Sequence, residues 1–133
     1  MITGLNHITL TVQDLDASLE FYTDILDFKA EVRWDNGAYL HLDGLWLCLS
    51  LGEAIPAKDY THLAFSIEQA DFATFLDKIR TNRVFEWKEN TSEGDSLYFV
   101  DPDGHKLEVH AGDLQSRLES LKSQPYSSFQ WLN

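Results

Sequence analysis

Two histidines and one glutamate stand out by type and by place. His7 in "NHITLTVQDLD" and His62 in "THLAFSIEQAD" hold the same position in two segments that align with a shift of 55 residues. The same shift superposes Leu10 on Phe65, Val12 on Ile67 and Asp16 on Asp71. Glu108 lies between Leu107 and Val109 in an apolar run near the end of the second repeat. Two imidazoles and one carboxylate bind a divalent transition metal and leave positions open on it. Such an ion acts as a Lewis acid on a bound oxygen. A strand histidine taken singly is more often a packed or exposed side chain than a ligand; the shared position lifts this pair above that reading. His41, His105 and His110 lack that support. His105 follows the "DPDG" turn and reads as a turn or strand-edge residue, and His110 flanks the glutamate and reads as structural.

These residues need strands to aim them. Short runs rich in apolar, β-branched and aromatic residues, bounded by Asp, Asn, Gly and Pro, predict strands near 5–12, 30–35, 37–42, 45–51, 60–67, 84–88, 96–101 and 105–110. "DLDASLEFYTDIL" carries Leu15, Leu19, Tyr22 and Leu26 at helical spacing, with Asp14 or Asp16 as cap. "ADFATFLDKIR" predicts a second helix with Phe72, Phe75, Leu76 and Ile79 on one face. "GDLQSRLESLK" predicts a third, capped near Asp113, with Leu114, Leu118 and Leu121 on its buried side. The tail after Pro125 reads as irregular.

The order strand, helix, three strands thus occurs twice. "AYLHLDGLWLCL" matches "LYFVDPDGHKLEV", with Tyr39 on Tyr98, Asp43–Gly44 on Asp103–Gly104 and Cys48 on Glu108. The expected fold is α+β: two βαβββ modules, about 1–55 and 56–112, followed by a helix and tail, 113–133. Each module gives an open sheet with a helix on one face. Two such sheets can close around a cleft, within one chain or across a dimer. Equivalent first and last strands then bring His7, His62 and Glu108 to the same cleft. Duplicated scaffold without function is the plainer reading of a repeat alone.

Composition bounds the partners. The 133 residues, 44% hydrophobic, suffice for one domain with a core. A net charge of −12 argues against nucleic acid and anionic membrane surfaces. No run approaches the roughly 18 apolar residues of a membrane span, and "MITGLNHITL" lacks a signal-peptide pattern. The single cysteine, Cys48, permits no intrachain disulfide. A cytoplasmic location is expected.

The repeat, the His–His–Glu set and the ending "YFVDPDGHKLEVH" resemble the vicinal oxygen chelate superfamily, which includes glyoxalase I, extradiol dioxygenases and bleomycin and fosfomycin resistance proteins. Within it, "GLNHITLTV", "WDNGAYLHLDGLWLCLS", "DYTHLAFSI", "EWKENTSEGDSLYFVDPDGHKLE" and "GDLQSRL" resemble the FosA-type fosfomycin–glutathione transferases over nearly the whole chain. The resemblance implies that fosfomycin, an epoxide carrying a phosphonate, chelates Mn(II) held by His7, His62 and Glu108, and that glutathione thiolate attacks an epoxide carbon. It places the Thr9 hydroxyl beside the epoxide oxygen and Arg117 over the phosphonate, where a guanidinium fork suits oxyanions. Lys88 would add a point charge, and Ser92, Ser96 and Tyr98 would add hydroxyls. The oxygen-rich loop would hold K⁺, with Asn90, Ser92, Gly94 and Ser96 at the matching positions and Glu93 nearby. Without the resemblance, that stretch reads as a solvated hairpin loop and Arg117 as a surface residue.

Tyr39, Trp46 and Cys48 alternate so as to line the cleft. Trp46 offers an apolar wall for a small epoxide. Cys48 reads as a small wall residue, since a thiolate would favour a softer ion and a fourth protein ligand would occupy a position the substrate needs. The family pattern implies a homodimer in which His7 of one chain joins His62 and Glu108 of the other. Alternatives within the family are a cysteine or bacillithiol transferase using Mg²⁺ and a water-adding epoxide hydrolase. Gly37 stands where the hydrolase type places a carboxylate, which argues against the latter. A further alternative is a drug-binding protein without catalysis.

Overall fold

Alternation of side chains builds the first sheet. Ala38, Leu40, Leu47 and Leu49 are fully buried, while Tyr39 and Trp46 on the intervening positions are each 37% exposed. One face therefore meets a core and the other does not. In the computed structural model, which describes residues 1–132, the chain runs β1 (His7–Val12), α1 (Leu15–Glu20), a π-helical turn (Phe21–Ile25), β2 (Lys29–Trp34), β3 (Gly37–Leu42) and β4 (Leu45–Leu51). It repeats as β5 (Leu63–Ser66), a 3-10 turn (Gln69–Asp71), α2 (Phe72–Thr81), β6 (Glu86–Lys88), β7 (Asp95–Val100) and β8 (Lys106–Ala111), and ends in α3 (Leu114–Leu121).

Both sheets have four strands in the same order, β1-β4-β3-β2 and β5-β8-β7-β6. This is the expected α+β arrangement of two βαβββ modules. β1 pairs in parallel with β4, setting His7 against Trp46 and Thr9 against Cys48. β5 pairs in parallel with β8, setting Ala64 against Glu108. Cys48 and Glu108 are thus equivalent in register, as the sequence alignment implies. β5 begins at Leu63, so His62 stands one residue before the strand rather than inside it.

The residues form two compact units, Met1–Thr61 with Val100–Lys106, and His62–Phe99 with the chain from Leu107 onward. In the first, Leu15, Phe21, Tyr22, Leu26 and Phe28 are buried together with the inner face of the sheet. Full burial of each large apolar side chain contributes about 1.5–3 kcal/mol. Asp14 caps α1 by accepting from the Ala17 N–H at 3.0 Å. In the second unit, Ile79 of α2 is buried with Leu97, Phe99, Leu107 and Val109, and Phe75 packs on Phe99 at 5.7 Å. Asp113 caps α3 in a reciprocal pair with Ser116. One expectation fails there. Leu121 is buried, but Leu114 is 72% exposed, because it is the first residue of the helix and lies beyond the neighbours that cover the later turns.

The turn between β7 and β8 is fixed by a buried carboxylate. Asp101, 3% exposed, accepts from the Asp103 and His105 N–H groups at 2.9 Å and from the Tyr22 hydroxyl at 2.8 Å. His105 donates through Nε2 to the Thr11 carbonyl at 2.7 Å, a turn role in keeping with its place in the sequence. Burial pushes the Asp101 carboxyl up from its ordinary value, against the opposing pull of those hydrogen bonds. The folded state therefore holds this proton more tightly than the unfolded chain. Its contribution is greatest below the ordinary aspartate value, about 3.9, and is lost as pH rises through the raised folded value. Urea unfolding of wild type and Asp101→Asn across that range should show a loss with rising pH in wild type that the variant lacks. Parallel profiles would contradict it.

Candidate active site

A charge brought into a poorly solvated place needs partners. Glu108 is 7% exposed and its two oxygens are separately engaged. Oε1 lies 3.0 Å from His62 Nε2, and Oε2 accepts from the Ser96 hydroxyl at 2.7 Å. Alternation explains the grouping. Ser96 and Tyr98 share one face of β7, and Glu108 and His110 share one face of β8. Above them lies Trp87, whose ring centroid is 5.5 Å from that of His62 and 5.2 Å from that of Tyr98. Its indole N–H donates to the Leu107 carbonyl at 3.0 Å, which holds the ring across the sheet. Lys88 Nζ sits 4.6 Å from the centre of the Tyr98 ring.

The loop after β6 is closed by one side chain. Asn90 Nδ2 donates to the Gly94 carbonyl at 2.8 Å and lies 3.4 Å from the Ser92 carbonyl, while its Oδ1 accepts from the Ser92 N–H and hydroxyl at 3.1 and 2.8 Å. The Ser92 and Gly94 carbonyls thus both turn toward the Asn90 amide nitrogen, which ties the loop closed. Gly94 has φ +75, the left-handed region that favours glycine. A β-carbon there would lie 2.9 Å from the Ala111 carbonyl oxygen and 3.0 Å from the His110 ring. Arg117 on α3 reaches back to this loop, with Nη2 3.4 Å from the Glu93 carbonyl and Nε 3.6 Å from Glu93 Oε1. Its Nη1 lies 3.3 Å from the Tyr126 hydroxyl. Partial burial works against the guanidinium charge, but Tyr126 and Glu93 outweigh it and raise its pKa further.

The first unit carries the other expected residues on the bare face of its sheet. His7 Nδ1 is 2.7 Å from Asn6 Oδ1. An amide oxygen only accepts, so the ring donates through Nδ1; in the neutral imidazole this tautomer leaves the Nε2 lone pair for a metal. The rings of His7, Trp46, Tyr39 and Trp34 follow one another at 4.4, 5.2 and 4.8 Å. Thr9 and Cys48 are directly paired on the same face. Among the described residues, no group of three or more His, Cys, Asp and Glu side chains gathers as a metal cluster. The second unit brings together His62 and Glu108, and His7 belongs to the first. The donor types fit a divalent cation: imidazole nitrogen and carboxylate oxygen already share one point.

The model of the glyoxalase/bleomycin resistance protein/dioxygenase superfamily matches residues 4–109. The chain belongs to that superfamily. It is 45% identical over 132 residues to the glutathione transferase FosA of Serratia marcescens, covering 96% of this chain and 94% of that protein. It is 41% identical over 137 residues to the metallothiol transferase FosB of Staphylococcus saprophyticus, covering 97% and 91%. The fosfomycin resistance protein FosX of Listeria monocytogenes, in its monoclinic form at pH 6.5, superposes with a TM-score of 0.83 at 34% identity, over 90% of this chain and 99% of that one. A structure of the same FosX complexed with Mn(II) and a sulfate ion gives 0.81 at 33%, over 90% and 98%. These relatives are thus two thiol transferases and a fosfomycin resistance protein.

Four residues of these two faces were not singled out by sequence as site residues. Asn6 adjoins a candidate ligand, and His110 lies two residues from Glu108 on the same strand face; both signals were there to read. Trp34 and Trp87 have no such signal, because their places depend on a tertiary packing that spacing does not reveal. The left-handed backbone at Gly94 leads to a simple test. Gly94→Ala should lose about 1–3 kcal/mol of stability by urea unfolding, and a variant as stable as wild type would mean that the loop does not hold this conformation.

Proposed function

We propose that the protein inactivates fosfomycin by adding the thiol of glutathione to its epoxide, with Mn(II) and K⁺ as cofactors. The observation that carries this reading is the buried Glu108 carboxylate with His62 at one oxygen, on a face that also bears Tyr98 and Lys88. His7, His62 and Glu108 would hold the divalent ion, which when bound stabilises negative charge developing on the epoxide oxygen. Lys88 and Arg117 neutralise the phosphonate, the first as a point charge and the second as a fork. Ser92, Ser96 and Tyr98 surround the same group with hydroxyls. Asn90, Ser92, Glu93, Gly94 and Ser96 would supply the K⁺ site, with the oxygen-rich loop that Asn90 ties together as its support.

In the reaction a C–S bond forms at one epoxide carbon as its C–O bond breaks. The electron pair goes to oxygen, which then takes a proton, and the thiol has given one up. Thr9 orients the epoxide oxygen. Tyr39, Trp46 and Cys48 form the wall around it. The metal ligands are divided between the units, and the aromatic face of the first sheet is bare: Val32, Trp34, Tyr39 and Trp46 are 37–49% exposed. A homodimer in which His7 of one subunit serves His62 and Glu108 of the other would complete the ligand set and cover that face.

A water-adding reaction is disfavoured at Gly37. A β-carbon there would lie 2.6 Å from Trp34 Cζ2 and 2.7 Å from the Leu49 carbonyl oxygen, so a general-base side chain would have to displace both Trp34 and the β4 backbone. A cysteine or bacillithiol transferase remains the nearest alternative, and a non-catalytic drug-binding protein the more distant one. Purified protein loaded with Mn(II) in K⁺ buffer should convert fosfomycin fastest with glutathione, compared with cysteine, bacillithiol or water, and more slowly when Na⁺ replaces K⁺ at equal ionic strength. A diol product would indicate hydrolysis. Faster turnover with bacillithiol would reassign the thiol, and fosfomycin recovered intact from every mixture would indicate binding alone.

A further inference from the structure

Ser96 stands between two partners. Its hydroxyl lies 2.7 Å from Glu108 Oε2 and 2.6 Å from His110 Nδ1. A serine has one proton to give, and an ionised carboxylate only accepts. The Ser96 proton therefore goes to Glu108, and His110 Nδ1 must carry a hydrogen and donate it to the serine oxygen. The chain His110 to Ser96 to Glu108 runs in one direction and engages Oε2. Oε1, the oxygen beside His62, is left toward the metal position.

The His110 ring is itself confined. A β-carbon at Gly94 would come within 3.0 Å of His110 Cε1, and one at Gly112 within 2.8 Å of its Nε2. The two glycines thus leave the space that the ring fills, one in the oxygen-rich loop and one just before α3. On its far side, Nε2 is 3.9 Å from Glu93 Oε1, which is 3.6 Å from Arg117 Nε. These three atoms are buried and have no hydrogen-bond partner among the described residues. One imidazole therefore borders β7 at Ser96 and the oxygen-rich loop at Glu93 and Gly94, and Glu93 in turn approaches Arg117 of α3.

We infer that His110 is a positioning residue for Glu108, acting through the Ser96 hydroxyl to fix which carboxylate oxygen faces the metal. The inference rests on the reading of Glu108 as a metal ligand. Partners behind a ligand typically govern metal affinity by about 10–100-fold. It also changes the role of Ser96: a hydroxyl whose proton is committed to Glu108 cannot donate that proton to the phosphonate.

Mn(II) binding by the full-length protein, followed by titration calorimetry and by the electron paramagnetic resonance of the free ion, tests this without turnover. Wild type should bind Mn(II), and Glu108→Gln should not. His110→Ala should bind about 10–100-fold more weakly. His110→Asn, whose amide can donate in place of Nδ1, should recover most of that loss. Ser96→Ala should lose as much as His110→Ala, and the double variant should lose no more than either alone. Circular dichroism and urea unfolding establish that each variant is folded, and Ser96→Ala with His110→Asn carries the test should His110→Ala fail to fold. Unchanged affinity in folded Ser96→Ala, or additive losses in the double variant, would overturn the role of His110 while leaving Glu108 a ligand. Mn(II) binding in Glu108→Gln equal to wild type would overturn both.

Discussion

Glu108 carries its carboxylate to a position only 7% exposed, and the arrangement of the second unit follows from satisfying it. An isolated buried carboxylate is costly enough that it would take up a proton rather than remain charged. Here each oxygen has its own partner. His62 reaches Oε1 from the start of β5, the strand paired beside β8, and Ser96 reaches Oε2 from β7. Removing either would leave a buried acceptor unpaired, a larger loss than the net worth of one hydrogen bond. A divalent cation placed at the same point would satisfy the charge more fully, and the proposed metal role of Glu108 rests on that.

The two modules have one topology and opposite surfaces. In the second, Trp87, the Asn90-closed loop and Arg117 crowd the site face, and Tyr98 is 3% exposed. In the first, the equivalent Tyr39 is 37% exposed and forms part of an open row of aromatic rings. Duplication accounts for the shared strand order. The difference in cover leaves Ser96, Tyr98 and Glu108 enclosed on one face and the Trp34, Tyr39 and Trp46 rings open on the other.

Much of this was legible in the residues. The repeat could be read because Thr9 with Cys48, and Ala64 with Glu108, keep the same register in paired parallel strands, and strand pairing converts a sequence offset into a position in space. The caps at Asp14 and Asp113 were readable because capping is local. Leu114 was not: helical spacing identifies a face, but which turn of that face is covered depends on the chain around it. The roles of Trp87 and Gly94 were hidden for the same reason, one depending on an N–H that crosses to β8 and the other on a close approach to Ala111. The loop was recognised as oxygen-rich, but the use of Asn90 to draw two carbonyls together appears only in three dimensions.

On the proposed function, the ligand set is completed between two copies of the chain. Subunit mixing addresses it most directly. His7→Ala and Glu108→Ala proteins, each folded and inactive in fosfomycin turnover, are combined under conditions that allow exchange, and heterodimers are verified by mass spectrometry. In a shared-site dimer one cleft of each heterodimer carries both lesions and the other is intact, so random exchange of equal amounts should restore about a quarter of wild-type activity. Verified heterodimers with no activity would place all three ligands within a single chain and contradict the claim.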